Sequence, residues 1–148
     1  MRIRHATAAD IPDLMALEKQ AAAAAHWSMK QYENVFSGEP PSRMILIIEE
    51  EAGAQGFIAG KAIDKEWEIE NIVVAGTLRR RGFGKRLLEE FLDLARGWGA
   101  DAVFLEVRES NLAARRLYEN FAFVENGRRK LYYHDPEEDA LVYQLGFT

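Results

Sequence analysis

Cysteine is missing from all 148 residues, which excludes a disulfide framework, a thiolate nucleophile and any cysteine-type metal site. The same absence suits a reducing, cytoplasmic compartment. Histidine is scarce. His5, His26 and His134 lie far apart with no ligand spacing, so no metal is expected and none of them is assigned a catalytic role. No apolar run approaches the ~18 residues of a membrane span. The longest aliphatic run, residues 44–48, is strand-sized, and MRIRHATAAD lacks the apolar core of an export signal, so no membrane partner is expected. A net charge of −5 disfavours a dedicated nucleic-acid binder. No G-x-x-x-x-G-K-[ST] loop occurs, and Leu87 stands where a dinucleotide fingerprint starting at Gly82 needs its third glycine.

What is present is an ordinary globular composition, 48% hydrophobic and 29% charged, which excludes disordered and fibrous classes. A chain of this length buries about two-thirds of its unfolded surface in one core, and a single domain over residues 1–148 is expected. Residues 2–6 alternate as a strand. A helix over 10–25 follows, with Ile11, Leu14 and Leu17 at helical spacing and Thr7/Asp10 resembling a capping box. Ser28 and Gln31 form a second box, opening a short helix that ends near Gly38. Residues 43–50 and 55–63 read as a hairpin. Residues 66–74 are a strand whose alternation breaks at Glu70-Asn71, the mark of a β-bulge. From Lys85, the residues Leu87, Leu88, Phe91, Leu94, Ala95 and Trp98 share one helical face. Strand 102–107, helix 111–120 and strands 121–133 and 140–147 complete an α/β chain with mixed layers, one sheet carrying helices on both faces.

Between strand 66–74 and the helix after it lies a basic, glycine-containing turn, Arg79-Arg80-Arg81-Gly82-Phe83-Gly84-Lys85. Successive backbone N–H groups where a helix begins attract an anion, most often a phosphate ester. A pyrophosphate-bearing cofactor is therefore expected here, with the chemistry on the strand that leads in.

The pattern Arg79-x-x-Gly82-x-Gly84 after IENIVV and before an amphipathic helix resembles the acyl-CoA-binding motif of the GCN5-related N-acetyltransferases (GNAT). Three further segments resemble the bacterial ribosomal-protein-alanine N-acetyltransferases, the RimI family. They are LEVR with Ser110-Asn111, then Leu117-Tyr118-Glu119, then Arg128-Arg129 leading to Tyr132-Tyr133 and Glu138-Asp139-Ala140. The resemblance implies a GNAT fold, with a splayed, mixed seven-stranded sheet, about four helices, and acetyl-CoA wedged where two parallel strands separate. It implies that the backbone of Ile72, Val73 and Val74 bonds the pantetheine arm. The N–H groups from Arg80 to Lys85 would hold the pyrophosphate, with Arg79 beside them, and Asn111 would touch the cofactor from the facing helix. The acceptor it implies is a protein N-terminus, the alanine of small ribosomal subunit protein eighteen. The expected state is a monomer or weak dimer.

Acetyl transfer to an amine needs a neutral nucleophile and a proton for the departing thiolate. Roughly a tenth of an α-amine is neutral at pH 7, so a carboxylate base suffices, directly or through one water. Glu106 interrupts an apolar strand, so it either faces the cleft or is buried with a partner such as Arg108. In the RimI family the matching glutamate is the proposed proton acceptor. Tyr118 is the candidate proton donor to the thiolate, against a role as a core aromatic. Glu68 is a rival base or water-holding partner, and a backbone N–H around Val73 is a candidate oxyanion donor. Tyr132 and Tyr133 are expected in the wall over the acceptor, with Trp27 and Tyr32 as further candidates; Arg128-Arg129-Lys130 is expected as a solvated strand face. Two positions depart from the family pattern: Ala75-Gly76 replaces an Asp-Pro, and Ala122 replaces a helix-ending glycine. A small-amine or lysine acceptor, a non-catalytic acyl-CoA-binding module and an RNA-binding module stay open as alternatives.

Overall fold

The computed structural model describes residues 1–20, 27–37, 43–75 and 82–147. Its elements run β1 (Arg2–His5), a 3-10 turn (Ala8–Asp10), α1 (Ile11–Lys19), α2 (Met29–Ser37), β2 (Arg43–Glu50), β3 (Gly53–Ile63) and β4 (Glu66–Val74). Then come α3 (Phe83–Gly97), β5 (Ala102–Arg108), α4 (Leu112–Asn120), β6 (Val124–Tyr133) and β7 (Glu138–Gly146). The described strands form one seven-stranded sheet in the order β1-β2-β3-β4-β5-β7-β6. Among the described strands, only β4 and β5 pair in parallel. Among the described residues, no helix is long and apolar enough to cross a membrane.

Alternation along the strands builds two cores. Leu46, Ile58, Ile69, Leu105 and Tyr143 face α3 and α4, while Ile45, Ile47, Phe57, Ala59 and Val73 face α1 and α2. Helix α3 supplies Leu87, Leu88 and Phe91, all fully buried, and burying each such side chain stabilises the fold by about 1.5–3 kcal/mol. Both capping boxes form. Asp10 accepts from the Thr7 backbone at 2.8 Å, Gln31 from the Ser28 backbone at 2.7 Å, and Ser28 Oγ from the Gln31 backbone at 3.2 Å.

Several boundaries shift. Helix α3 begins at Phe83 rather than Lys85, because Gly82 takes the left-handed N-cap position at φ 79° and lets Phe83 enter the helix. Strand β6 starts at Val124, since Phe121 and Ala122 belong to the end of α4. Strand β7 starts two residues early, at Glu138. Residues 21–26, 38–42 and 76–81, which include His26, Gly38, Gly76 and Arg79 to Arg81, lie outside the described residues.

Candidate active site

The site is made where the sheet divides. The parallel pairing of β4 with β5 ends at Ile69↔Leu105. Beyond it β4 continues on β3 through Val74↔Gly56, and β5 continues on β7 through Arg108↔Ala140. The bulge anticipated at Glu70-Asn71 sits at this fork: Gly60 pairs Ile69 and Ala59 pairs Asn71, leaving Glu70 as the extra residue. Gly60 opposite it has no alternative, since a Cβ there would lie 2.3 Å from the Phe91 ring of α3.

The fork exposes strand backbone on one side. Ala75 N–H donates to Gln55 O on β3 at 2.8 Å. Antiparallel alternation then directs Val73 toward Phe57 and turns the amides and carbonyls of Ile72 and Val74 into the gap. Of the amides around Val73, those of Ile72 and Val74 thus face the gap, while the Val73 side chain lies in the core below.

Helix α3 starts against the same gap, with Gly84 close to both Val74 of β4 and Leu117 of α4. Its first intrahelical bond is Arg86 N–H to Gly82 O at 3.0 Å, so the N–H groups of Gly84 and Lys85 have no partner within the helix. The Phe83 ring is buried in the core. The helix-start donors of Gly84 and Lys85 and a free strand edge fit the two polar parts of an acyl-CoA, its pyrophosphate and its amide-bearing arm. Asn111 is the N-cap of α4, where its Oδ1 accepts from Ala114 N–H at 3.2 Å.

Glu106 lies on β5 past the fork, on the sheet face opposite α3 and α4. Its Oε1 accepts from Arg129 of β6 at 2.9 Å, whereas Oε2 is buried with no hydrogen-bond partner. The expected Arg108 partner is engaged elsewhere, on Glu138 and on the carbonyls of His134 and Pro136. The face of Arg128 to Lys130 is exposed, as expected, and carries ion pairs: Arg129 reaches Glu106 past the small, buried Ala140, and Arg128 is paired to Glu109 and Asp139.

Glu66, Glu68 and Glu70 of β4 share that face with Glu106. Burial, then the charges of Glu70 and Glu106, hold the Glu68 carboxyl above the usual carboxylate range. Glu70 is tied to Arg43, with Nε at 3.0 Å from its Oε1, and Arg43 lies over the Trp27 ring at 5.5 Å. Trp27 thus stands at one margin of the carboxylate face. Tyr132 and Tyr133 stand at the other, with Arg129 over Tyr132 at 4.0 Å and Arg108 over Tyr133 at 4.4 Å.

Tyr118 approaches from α4 and is almost wholly buried. Burial pushes its phenol well above the ordinary value, and the neighbouring Tyr133 adds to this, so it stays protonated. Its place is set by how α4 ends. Phe123 N–H bonds Tyr118 O at 3.1 Å, Ala122 N–H bonds Glu119 O at 3.0 Å, and the Phe123 and Tyr118 rings lie 5.7 Å apart. These are the bonds and apolar contact of a Schellman motif. Ala122 occupies its left-handed position at φ 70°, the strain expected from the missing glycine.

Tyr32 does not line this opening. It is fully buried and its hydroxyl donates to the buried Glu18, an apolar ring having found the core between α1, α2 and the sheet. Sequence reasoning missed Glu18, although a carboxylate seven residues after Ile11 on the apolar stripe of α1 signals a buried acid. Nothing local announces Arg129, whose partner is 23 residues away across β7.

Comparison with known proteins gives a consistent picture. A family model described as Acetyltransferase (GNAT) family matches residues 10–123. The [Ribosomal protein bS18]-alanine N-acetyltransferase of Salmonella typhimurium is 33% identical over 138 residues, covering 92% of this chain and 90% of that protein. The N-alpha-acetyltransferase RimI of Mycobacterium tuberculosis is 42% identical over 81 residues, covering 55% of this chain and 49% of that one. The crystal structure of the ribosomal-protein-S18-alanine N-acetyltransferase from Escherichia coli superposes with a TM-score of 0.88 at 29% identity, over 99% of this chain and 94% of that one.

Proposed function

This chain belongs to the acetyltransferase (GNAT) family, and from that premise we propose that it acetylates a protein N-terminus, using acetyl-CoA and favouring the N-terminal alanine of small ribosomal subunit protein eighteen. The observation that supports this most is Glu106: one oxygen is fixed by Arg129 and the other is buried without a partner, at the fork where the backbone of β4 is free.

When bound, acetyl-CoA supplies a thioester whose carbonyl carbon bonds the acceptor nitrogen as its bond to sulfur breaks. The residues for each part of that exchange stand around the fork. Glu106 Oε2 takes the proton that the attacking amine loses, with Glu68 beside it as the rival base or as the anchor of an intervening water. Ile72 or Val74 N–H donates to the carbonyl oxygen as negative charge grows on it. The Tyr118 hydroxyl delivers a proton to the departing sulfur, so both protons are accounted for. The helix-start amides of Gly84 and Lys85 hold the pyrophosphate, with Arg79, Arg80 and Arg81 preceding them in the sequence as a source of positive charge. Asn111 contacts the cofactor from the start of α4.

Acceptor preference follows from charge. Glu66, Glu68, Glu70 and Glu106 line one sheet face, with Trp27 at one margin and Tyr132 and Tyr133 at the other, so a cationic amine is attracted and an anionic acceptor repelled. The test is CoA release with peptides beginning Ala-Arg, against polyamines and lysine-containing peptides blocked at the N-terminus. The Ala-Arg peptides are expected to react fastest. Turnover confined to polyamines or lysine side chains would overturn the N-terminal assignment.

A further inference from the structure

Behind the fork in the sheet lies a buried acid that the proposed chemistry does not use. Glu18 of α1 is 2% exposed, and no cation among the described residues pairs with it. Its Oε1 accepts from two donors, the Tyr32 hydroxyl of α2 and Asn71 Nδ2 of β4 at 3.2 Å. A carboxylate this deep is costly unless it is hydrogen-bonded. Burial and the adjacent Glu18 push the Tyr32 phenol far above its ordinary value, so Tyr32 stays a donor.

What the acid grips matters more than what it costs. Asn71 follows the bulge residue Glu70, two residues after the last parallel pair at Ile69 and one before Ile72, the first residue whose backbone faces the gap. Glu70 has its own tie to Arg43, but that pair is part-exposed, with side-chain accessibilities of 31% and 17%. Solvent weakens it, whereas the Glu18–Asn71 bond is sheltered. Past Asn71 the strand is paired on one side only. A slip of one residue against β3 would erase the bulge and turn the amides of Ile72 and Val74 away from the gap.

The geometry points to Glu18 as a positioning residue for the acyl donor: acting through Asn71, it pins the bulge so that the backbone groups of Ile72 and Val74 are aimed to bond the pantetheine arm. This rests on the acyl-CoA site described above and adds a residue on the far side of the sheet that tunes it.

The test separates positioning from simple support of the core. Glu18→Leu combined with Tyr32→Phe removes acceptor and hydroxyl together, so no phenol is left unpaired as in Glu18→Leu alone, and Asn71 is left untethered. Asn71→Ala keeps the Glu18–Tyr32 bond and removes only the link to the strand. Each protein is measured by urea unfolding and by calorimetric titration with CoA, which needs no acceptor. Expected are a CoA Kd about tenfold weaker in Asn71→Ala and in the double variant, the size of one lost hydrogen bond to a charged group, and a Kd within threefold of the parent in Glu18→Gln, which keeps an acceptor oxygen. Asn71→Ala that binds CoA like the parent overturns the proposal even if the double variant fails to fold. A parent chain that does not bind CoA overturns the cofactor site itself, a distinct outcome.

Discussion

Glu106→Gln isolates the proposed base with little disturbance to the fold. The parent side chain is 18% exposed and its Arg129 partner 53% exposed, so their ion pair is screened by solvent and adds little to stability. Glutamine keeps an oxygen for Arg129 and places an amide where Oε2 stood, which can no longer accept a proton. A positioned general base contributes about 10²-fold or more, so turnover at pH 7 should fall about a hundredfold, close to 2.7 kcal/mol of barrier. The deficit should shrink with pH. An α-amine with pKa about 8 is roughly a tenth neutral at pH 7 and roughly nine-tenths neutral at pH 9. The variant, which relies on that fraction, should recover nearly tenfold relative to the parent. The assay is steady-state thiol release at both pH values with an Ala-Arg peptide, alongside the Kd for acetyl-CoA, which should not change. Equal turnover at pH 7 would move the base to Glu68 or a water chain. A deficit that is the same at pH 7 and 9 would refute proton acceptance as the role of Glu106.

Two stability predictions follow from local geometry. Ala122→Gly should relieve the left-handed backbone at φ 70°. The relief of about 1–2 kcal/mol is partly offset by the greater freedom of glycine in the unfolded chain. A net gain of about 0.5–1 kcal/mol is expected, read as a higher urea midpoint with unchanged slope, and a lower midpoint would contradict it. Asp10 is gripped by Arg4 at 2.8 and 2.9 Å and by Thr7 N–H. The Arg4 guanidinium in particular pulls its carboxyl down from 3.8 to about 2. The ionised form is thus favoured in the folded state, and the stability it contributes is complete above pH 3.8 and lost as the pH falls through 2. Asp10→Asn should therefore unfold at lower urea than the parent at pH 5, with the difference closing toward pH 2. No difference at pH 5 would refute the coupling.

Most elements could be read from the sequence because they rest on local chemistry. The apolar face from Leu87 to Ala95, the two capping boxes and the broken alternation at Glu70-Asn71 each express a backbone preference within a few residues, and each appears in the fold, whereas Trp98, expected on that face, caps α3 and is exposed. The errors lie where a terminus competes with its neighbour. Gly82 in a left-handed conformation drew Phe83 into α3, and the Schellman end of α4 claimed Phe121 and Ala122 from the following strand. The sequence also marked Glu106, as a lone carboxylate within an apolar strand, and Ala122, as an alanine in a glycine position.

Which partners those residues take was decided by sheet order alone. Strand β7 inserts between β5 and β6, which brings Arg129 rather than Arg108 to Glu106. The parting of β4 from β5 beyond Ile69 frees the amides of Ile72 and Val74, and the packing of α1 and α2 takes Tyr32 into the core with Glu18 and Asn71. Periodicity states which way a side chain points within its own element, and the motif resemblance states what chemistry to expect. Neither carries the distance between residues that are far apart in the chain, and hydrogen bonds and charge pairs act only when that distance is short.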